Sequence, residues 1–318
     1  MREMRLRLLK RPMPVEMTDG KCGERGTVWK ALLGVMTVNS DLYLCLCRRG
    51  PSPLAGKIDK DVGRTFKKAG GGSKKKKAGE EEQEEEIPIN SGRLTRLLNA
   101  FVWYQLIAAP HTMTSGYIQG MNCIAGLLLT QMSEVEAFEC LRCIALRTLP
   151  GYFSSPVYAT EVGCRIAMKF LEKADGGLHA NLCGNYLDPG LLNQCTLSLM
   201  TNVPPLREAV RLWDFFVAFG FHLVPVAVCA FLRSALGELK YGVSEISMPK
   251  KEMFDANRVI SLALDTIEKV PYTENKELWD ELFAHTHLKL QDRPTDKQGE
   301  DEKSGDSDTD LDAVDLDW

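Results

Sequence analysis

The apolar positions of this chain recur at helical rather than strand spacing along most of its length. From Arg25, the residues Val28, Trp29, Leu32 and Leu33 fall at i, i+1, i+4 and i+5, and Gly34 supplies a natural stop. Tyr43-Leu-Cys-Leu reads as a further buried piece, and Ile58, Val62 and Phe66 stand four apart on one face of a short helix. Periodicity resumes at Leu94, with Leu97, Leu98, Phe101 and Val102 on one stripe. It continues through Leu127–Leu129, Phe138–Ile144, Val162–Leu171, Leu191–Met200, Val210–Phe219, Val226–Leu236 and Val259–Ile267. Alternating period-two patterns are scarce and no internal repeat is visible, so the expected fold class is all-α.

Three stretches depart from this pattern. Residues 1–21 are basic at first and carry Pro12 and Pro14, and are expected to form a mobile or loosely docked N-terminal arm. Lys67–Glu86 reads KKAGGGSKKKKAGEEEQEEE. With glycine, blocks of like charge and no large apolar side chain, it cannot bury enough surface to offset its ordering entropy, and a disordered low-complexity insertion at 67–86 is expected. From 291 to 318 the chain is rich in Asp, Glu and Ser, and an acidic disordered tail is expected, with Leu311, Val314, Leu316 and Trp318 as a candidate docking peptide. The globular domain is thereby placed at 22–290.

Composition narrows the class. The chain has 318 residues, 44% hydrophobic and 26% charged, enough for a sizeable core. Its net charge of −4 argues against a general nucleic-acid binder, so no nucleic-acid partner is expected. The apolar stretch Phe215–Leu232 is of borderline length for a membrane span and is interrupted by Gly220, His222 and Pro225. Two short buried helices joined between Gly220 and Pro225 fit it better, so no transmembrane segment is expected. Ten cysteines show no disulfide framework, and the reducing cytosol is the expected compartment. Cys140 and Cys143 have a redox or zinc spacing, but no second ligand pair accompanies them, and a buried helical face explains them better. His285 and His287 form a lone pair expected at the surface.

Two short segments carry the candidate chemistry. In Ser115-Gly-Tyr-Ile-Gln-Gly-Met-Asn122 the polar Gln119 sits between Gly116 and Gly120, just before the apolar run from Cys123 to Leu129. Glycines allow a tight turn and close backbone approach, which would present Gln119 near the start of a rigid helix. The same Gly-x-x-x-Gly spacing also arises where two helices simply pack closely. In Ile58-Asp-Lys-Asp-Val-Gly-Arg-Thr-Phe66, Asp61 and Arg64 stand at i, i+3. That is an ordinary helical ion pair, worth about 0.2–0.5 kcal/mol, or an aspartate that orients a guanidinium toward a foreign phosphate.

Taken in order, four blocks resemble those of the TBC-domain Rab GTPase-activating proteins. Arg25-Gly-Thr-Val-Trp29-Lys-Ala-Leu-Leu-Gly34 resembles the family's opening segment, and Ile58-x-x-Asp61-x-x-Arg64-Thr65-Phe66 its arginine-finger motif. Gly116-Tyr117-x-Gln119-Gly120-Met121-Asn122 resembles its glutamine-finger motif, and Arg211-Leu-Trp213-Asp214 its Arg-Ile-Trp-Asp segment. The resemblance runs from about Arg25 to His285. The chain departs from it at the 67–86 insertion, at Cys195-Thr196 in place of Trp-Phe before Val203-Pro204-Pro205, and at Asn181 in place of a histidine.

The resemblance implies a multi-helix domain of two helical subdomains that accelerates GTP hydrolysis on a GTP-bound Rab-family small GTPase. Arg64 and Gln119 would be the catalytic fingers supplied in trans. Asp61 would hold Arg64, and Tyr117 and Asn122 would shape the surroundings of Gln119. No cofactor of its own is implied, since GTP and Mg²⁺ belong to the partner. The implied setting is vesicle and membrane traffic, in the cytoplasm, with peripheral recruitment to endomembranes through the partner. The alternative is a helical adaptor that binds a Rab without stimulating it.

Overall fold

The computed structural model describes residues 2–10, 13, 14, 18, 20–65, 89–108, 116–154, 158–184, 189–202, 205–236, 254–288 and 292. The 67–86 insertion, the 291–318 tail apart from Asp292, and Phe66, Ser115, Val203 and Pro204 lie outside the described residues. Among the described residues there are fourteen α-helices and no strand, as the apolar spacing predicts.

The first group comprises α2 (Glu24–Leu33), α3 (Ser40–Arg48), α4 (Ala55–Val62), α5 (Ser91–Ala108), α6 (Met121–Leu129) and α7 (Glu134–Cys143). Helix α5 lies at its centre, with α3, α4, α6 and α7 packed around it. Leu94, Leu97, Leu98, Phe101 and Val102, the stripe visible in the sequence, are buried there. The second group comprises α8 (Tyr158–Ala174), α9 (Gly176–Gly184), α10 (Pro189–Leu197), α11 (Leu206–Phe219), α12 (Val224–Leu236), α13 (Ala256–Lys269) and α14 (Lys276–Ala284). Here α12 is the buried centre, against α8, α10 and α13. These are the two helical subdomains that the resemblance implies. The α11–α12 boundary falls where the sequence places it: Gly220 turns at φ +117, and Pro225 sits in the first turn of α12, where a missing N–H costs nothing. No helix among the described residues is long and apolar enough to cross a membrane.

Helix α11 joins the groups, packing on α13 and also on α2 and α6. The joint is polar at its centre. Asp214 of α11 is fully buried, and its Oδ1 accepts from Arg25 Nε at 3.0 Å and from Trp29 Nε1 at 2.9 Å, both on α2. The Trp29 and Trp213 rings lie 5.8 Å apart beside it, and Trp213 Nε1 donates to Leu199 O at 3.0 Å. Burial pushes the Asp214 carboxyl upward, and Arg25, Trp29 and Arg211 oppose that shift.

The remaining donors of Arg25 explain the N-terminal stretch. Arg25 donates to Met13 O at 2.7 Å and to Pro14 O at 2.8 Å, and Arg211 donates to Leu9 O at 3.3 Å. Residues 2–10, expected as part of a mobile or loosely docked arm, form helix α1 (Arg2–Lys10), which packs on α11 with Leu8 buried. Two buried guanidiniums take carbonyl partners here, Arg211 from Leu9 of α1 and Arg25 from Met13 and Pro14 after it.

The surface expectation for His285 is corrected. His285 is completely buried in a turn after α14. Leu282 O can only accept, so Nδ1 carries the proton at 2.6 Å, and Nε2 accepts from the Tyr152 hydroxyl at 2.9 Å. Cys140 and Cys143 are buried in α7, with the Cys143 thiol against Leu33 O at 3.3 Å, and burial pushes the Cys140 thiol up. The helical-face explanation holds for both.

Asp214→Ala should lower stability by about 3–5 kcal/mol, because it leaves Arg25 charged and buried without its partner. The measurement is the urea midpoint, and an unchanged midpoint would show that the joint carries no such weight. Burial lowers the His285 pKa to about 4, whereas an unfolded histidine titrates near about 6.5. The unfolded chain therefore binds more protons between those values, and stability falls with acidification by up to about 1.4 kcal/mol per pH unit. Urea midpoints measured from pH 7 down to 4.5 should show this slope, and His285→Asn should flatten it. The remaining slope would come from other groups such as His222, which burial also lowers.

Candidate functional site

Helix α4 is short, and its sequence dictates its orientation. Ile58 is fully buried and Val62 nearly so, which sets that face against α5. Asp61 is drawn in beside them at 7% exposure. A tight turn ends the helix: Gly63 N donates to Asp59 O, Arg64 N to Asp61 O and Thr65 N to Val62 O, all at 3.0–3.1 Å. Arg64 emerges from this turn into solvent, with 73% of its side chain exposed.

The segment around Gln119 is a loop of opposite character. Gly116 has φ +64 and Gly120 has φ +101, and neither lies within a helix. The glycine spacing therefore reflects two left-handed turns rather than helix–helix packing. A Cβ at Gly116 would stand 3.1 Å from Leu54 Cδ1, and one at Gly120 would stand 3.4 Å from Leu197 O at the end of α10. Gly120 is the N-cap of α6, so Gln119 precedes a wholly buried helix. Tyr117 and Ile118 are buried, whereas Gln119 is exposed.

The fold brings these two segments together through one carboxylate. Asp61 Oδ1 accepts from Arg64 Nη2 at 2.7 Å, and Asp61 Oδ2 accepts from the Tyr117 hydroxyl at 2.9 Å, 56 residues away. Burial and Asp61 push the Tyr117 pKa up, so the phenol stays a donor. Asn122 closes the arrangement. Its Nδ2 donates to Thr65 Oγ1 at 2.9 Å and its Oδ1 accepts from Gly120 N at 3.2 Å. Thr65 Oγ1 in turn donates back to Asp61 O at 2.9 Å. Arg64 Nε donates to Lys60 O at 3.2 Å, which fixes the base of the guanidinium and leaves most of its five N–H donors free for another partner.

The structure thus gathers Asp61, Arg64, Tyr117 and Asn122 into one hydrogen-bonded unit, and places Gln119 beside it on the same loop. Thr65 is a member that the sequence reading passed over. Its signal is the four-residue spacing from Asp61, which suits a back-bond from a threonine hydroxyl to a helix carbonyl. Leu54 and Leu197, which wall the two glycines, gave no sequence signal at all. The arrangement can offer a guanidinium and a neutral amide from a rigid base to something outside the chain. Among the described residues, no three His, Cys, Asp or Glu side chains gather as a metal site would need.

Comparison with known proteins agrees with this architecture. The sequence pattern of the Rab-GTPase-TBC domain matches residues 23–238. A Dictyostelium discoideum protein bearing the name of the mitotic check point protein BUB2 is 33% identical over 88% of this chain and 70% of its own length. Cell division control protein 16 of Schizosaccharomyces pombe is 29% identical over 84% of this chain and 82% of its own. Mitotic check point protein BUB2 of Saccharomyces cerevisiae is 25% identical over 89% of this chain and 90% of its own. Among solved structures, a Chlamydomonas flagellar RabGAP TBC domain superposes with a TM-score of 0.56 at 18% identity, over 90% of this chain and 83% of that one. The Ypt/Rab-GAP domain of Gyp1p gives a TM-score of 0.55 at 14% identity, over 89% of this chain and 92% of that one, and at such identity both speak to the fold alone. On the matched span and the first of these relatives, the chain belongs to the Rab-GTPase-TBC domain family.

Proposed function

We propose that this protein is a GTPase-activating protein that supplies Arg64 and Gln119 in trans to a GTP-bound, Rab-type small GTPase. Membership of the family supports a GTPase-activating role on small GTPases. The observation that carries the residue assignment is the shared Asp61 carboxylate, which anchors Arg64 by one oxygen and the glutamine loop, through Tyr117, by the other.

The chemistry follows from what slows the unassisted reaction. Charge develops on phosphate oxygens while the attacking water is poorly oriented. Arg64 brings a permanent charge on a planar fork that can contact two oxygens at once. Gln119 brings a neutral amide that accepts from the water and donates to the γ-phosphate together. A carboxylate in its place would be repelled by the phosphate. Asp61 keeps Arg64 aimed outward, and the Tyr117, Asn122 and Thr65 contacts keep Gln119 at a set distance from it. GTP and Mg²⁺ come with the partner.

The relatives that align over most of both chains carry mitotic check point and cell division names. We therefore place the partner GTPase in the control of cell division. Vesicle traffic is supported only by the family's general resemblance.

Single-turnover GTP hydrolysis across a panel of purified GTPases tests the assignment. Arg64→Ala should reduce the stimulated rate by about 10³-fold or more, and Arg64→Lys should not restore it. Gln119→Ala should cost about 10²–10³-fold. Both side chains are exposed, so melting temperatures should stay at the parent value. Variants that stimulate as fast as the parent would falsify the two-finger assignment. A parent that binds a GTP-loaded partner without accelerating it would favour the adaptor reading.

A further inference from the structure

Helix α4 carries one more side chain on the face of Asp61. Lys57 stands four residues before Asp61, and Arg64 follows in the turn that ends the helix. Its Nζ donates to Tyr117 O at 3.5 Å and lies 5.8 Å from the centre of the Tyr117 ring. Tyr117 is thus held at three points: the hydroxyl by Asp61, the ring face by Lys57 and the backbone carbonyl by Lys57. That carbonyl lies two residues before Gln119, on the stretch between the two positive-φ glycines.

These contacts do little for stability. Lys57 is exposed, and a cation over an aromatic face contributes little at such a site. Their leverage is geometric. Positive-φ glycines bound the loop at both ends, while its middle is held from one direction by Asp61 and touched from another, at the outer reach of a hydrogen bond, by Lys57. A reacting group displaced by a fraction of its proper reach loses far more rate than the binding energy of the contact that held it. From this geometry we infer that Lys57 is a positioning residue for Gln119, acting through the ring and main chain of Tyr117.

The inference rests on the two-finger reading, and its test keeps the two apart. The assay is single-turnover hydrolysis at varied activator concentration, with a GTPase on which the parent is active. Lys57→Met should lower the maximal stimulated rate by about 10-fold or more, with the half-saturating concentration and the melting temperature unchanged. Lys57→Arg, which keeps both the charge over the ring and a donor for the carbonyl, should recover most of the loss. In a Gln119→Ala background Lys57→Met should add nothing, and in an Arg64→Ala background it should multiply with the existing loss. A Lys57→Met chain at the parent rate overturns the inference, as does an equal loss in the Gln119→Ala background. A raised half-saturating concentration at unchanged maximal rate also overturns it, because Lys57 would then be contacting the GTPase itself. Should Arg64→Ala and Gln119→Ala both act at the parent rate, it is the two-finger reading that fails.

Discussion

A carboxylate removed from water must have its oxygens answered by donors, and this molecule uses that constraint twice. Asp214, fully buried, takes donors from Arg25 and Trp29 and so clamps α11 of one helical group to α2 of the other. Asp61, nearly as buried, takes donors from Arg64 and Tyr117 and so clamps α4 to the loop before α6. Apolar packing alone is non-directional and tolerates sliding between helices. A carboxylate held by buried donors does not, because displacing those donors leaves its charge unanswered. The first clamp joins the two groups, and the second joins the turn that carries Arg64 to the loop that carries Gln119.

The helical framework was legible because helices announce themselves locally. The apolar stripe at Leu94–Val102 is the buried face of α5, the run from Val210 to Ala218 is buried throughout in α11, and Gly220 with Pro225 breaks the long apolar run where it does in the structure. What was illegible depends on partners distant in sequence. Residues 1–21 read as a mobile or loosely docked arm until the carbonyls of Leu9, Met13 and Pro14 are seen answering Arg211 and Arg25. His285 looks like a surface residue because nothing nearby declares that Tyr152, 133 residues away, will enclose it.

The candidate site divides along the same line. Asp61 beside Arg64 can be read from an i, i+3 spacing, and the Gly116 and Gly120 turns from composition. The contact of Asp61 with Tyr117 cannot, since it joins residues 56 apart across the 67–86 insertion. Thr65 shows only the four-residue spacing from Asp61, and the role inferred for Lys57 is invisible in sequence, because a lysine on a short helix ordinarily faces water without consequence. Family resemblance is what suggests pairing Arg64 with Gln119; the hydrogen bonds join Arg64 to the loop that carries Gln119, through Asp61 and Tyr117.

The two oxygens of Asp61 are not equivalent in what they hold, and that asymmetry matters for how an arginine could be delivered. The Arg64 side of the pair is solvent-exposed, and ion pairs of that kind contribute only about 0–1 kcal/mol. A phosphate approaching from outside can therefore take the guanidinium at little cost. The Tyr117 side is buried, and its phenol is held in the protonated, donating form by burial and by Asp61 itself. Releasing Arg64 thus leaves Asp61 still anchored, and the loop bearing Gln119 still tied to α4 through Tyr117 and through the Asn122–Thr65 contact. An anchor that binds its mobile partner weakly and its fixed partner firmly lets one side chain reach while the other stays in register. On the proposed two-finger reading, a single buried aspartate placed between an exposed arginine and a buried tyrosine would do both.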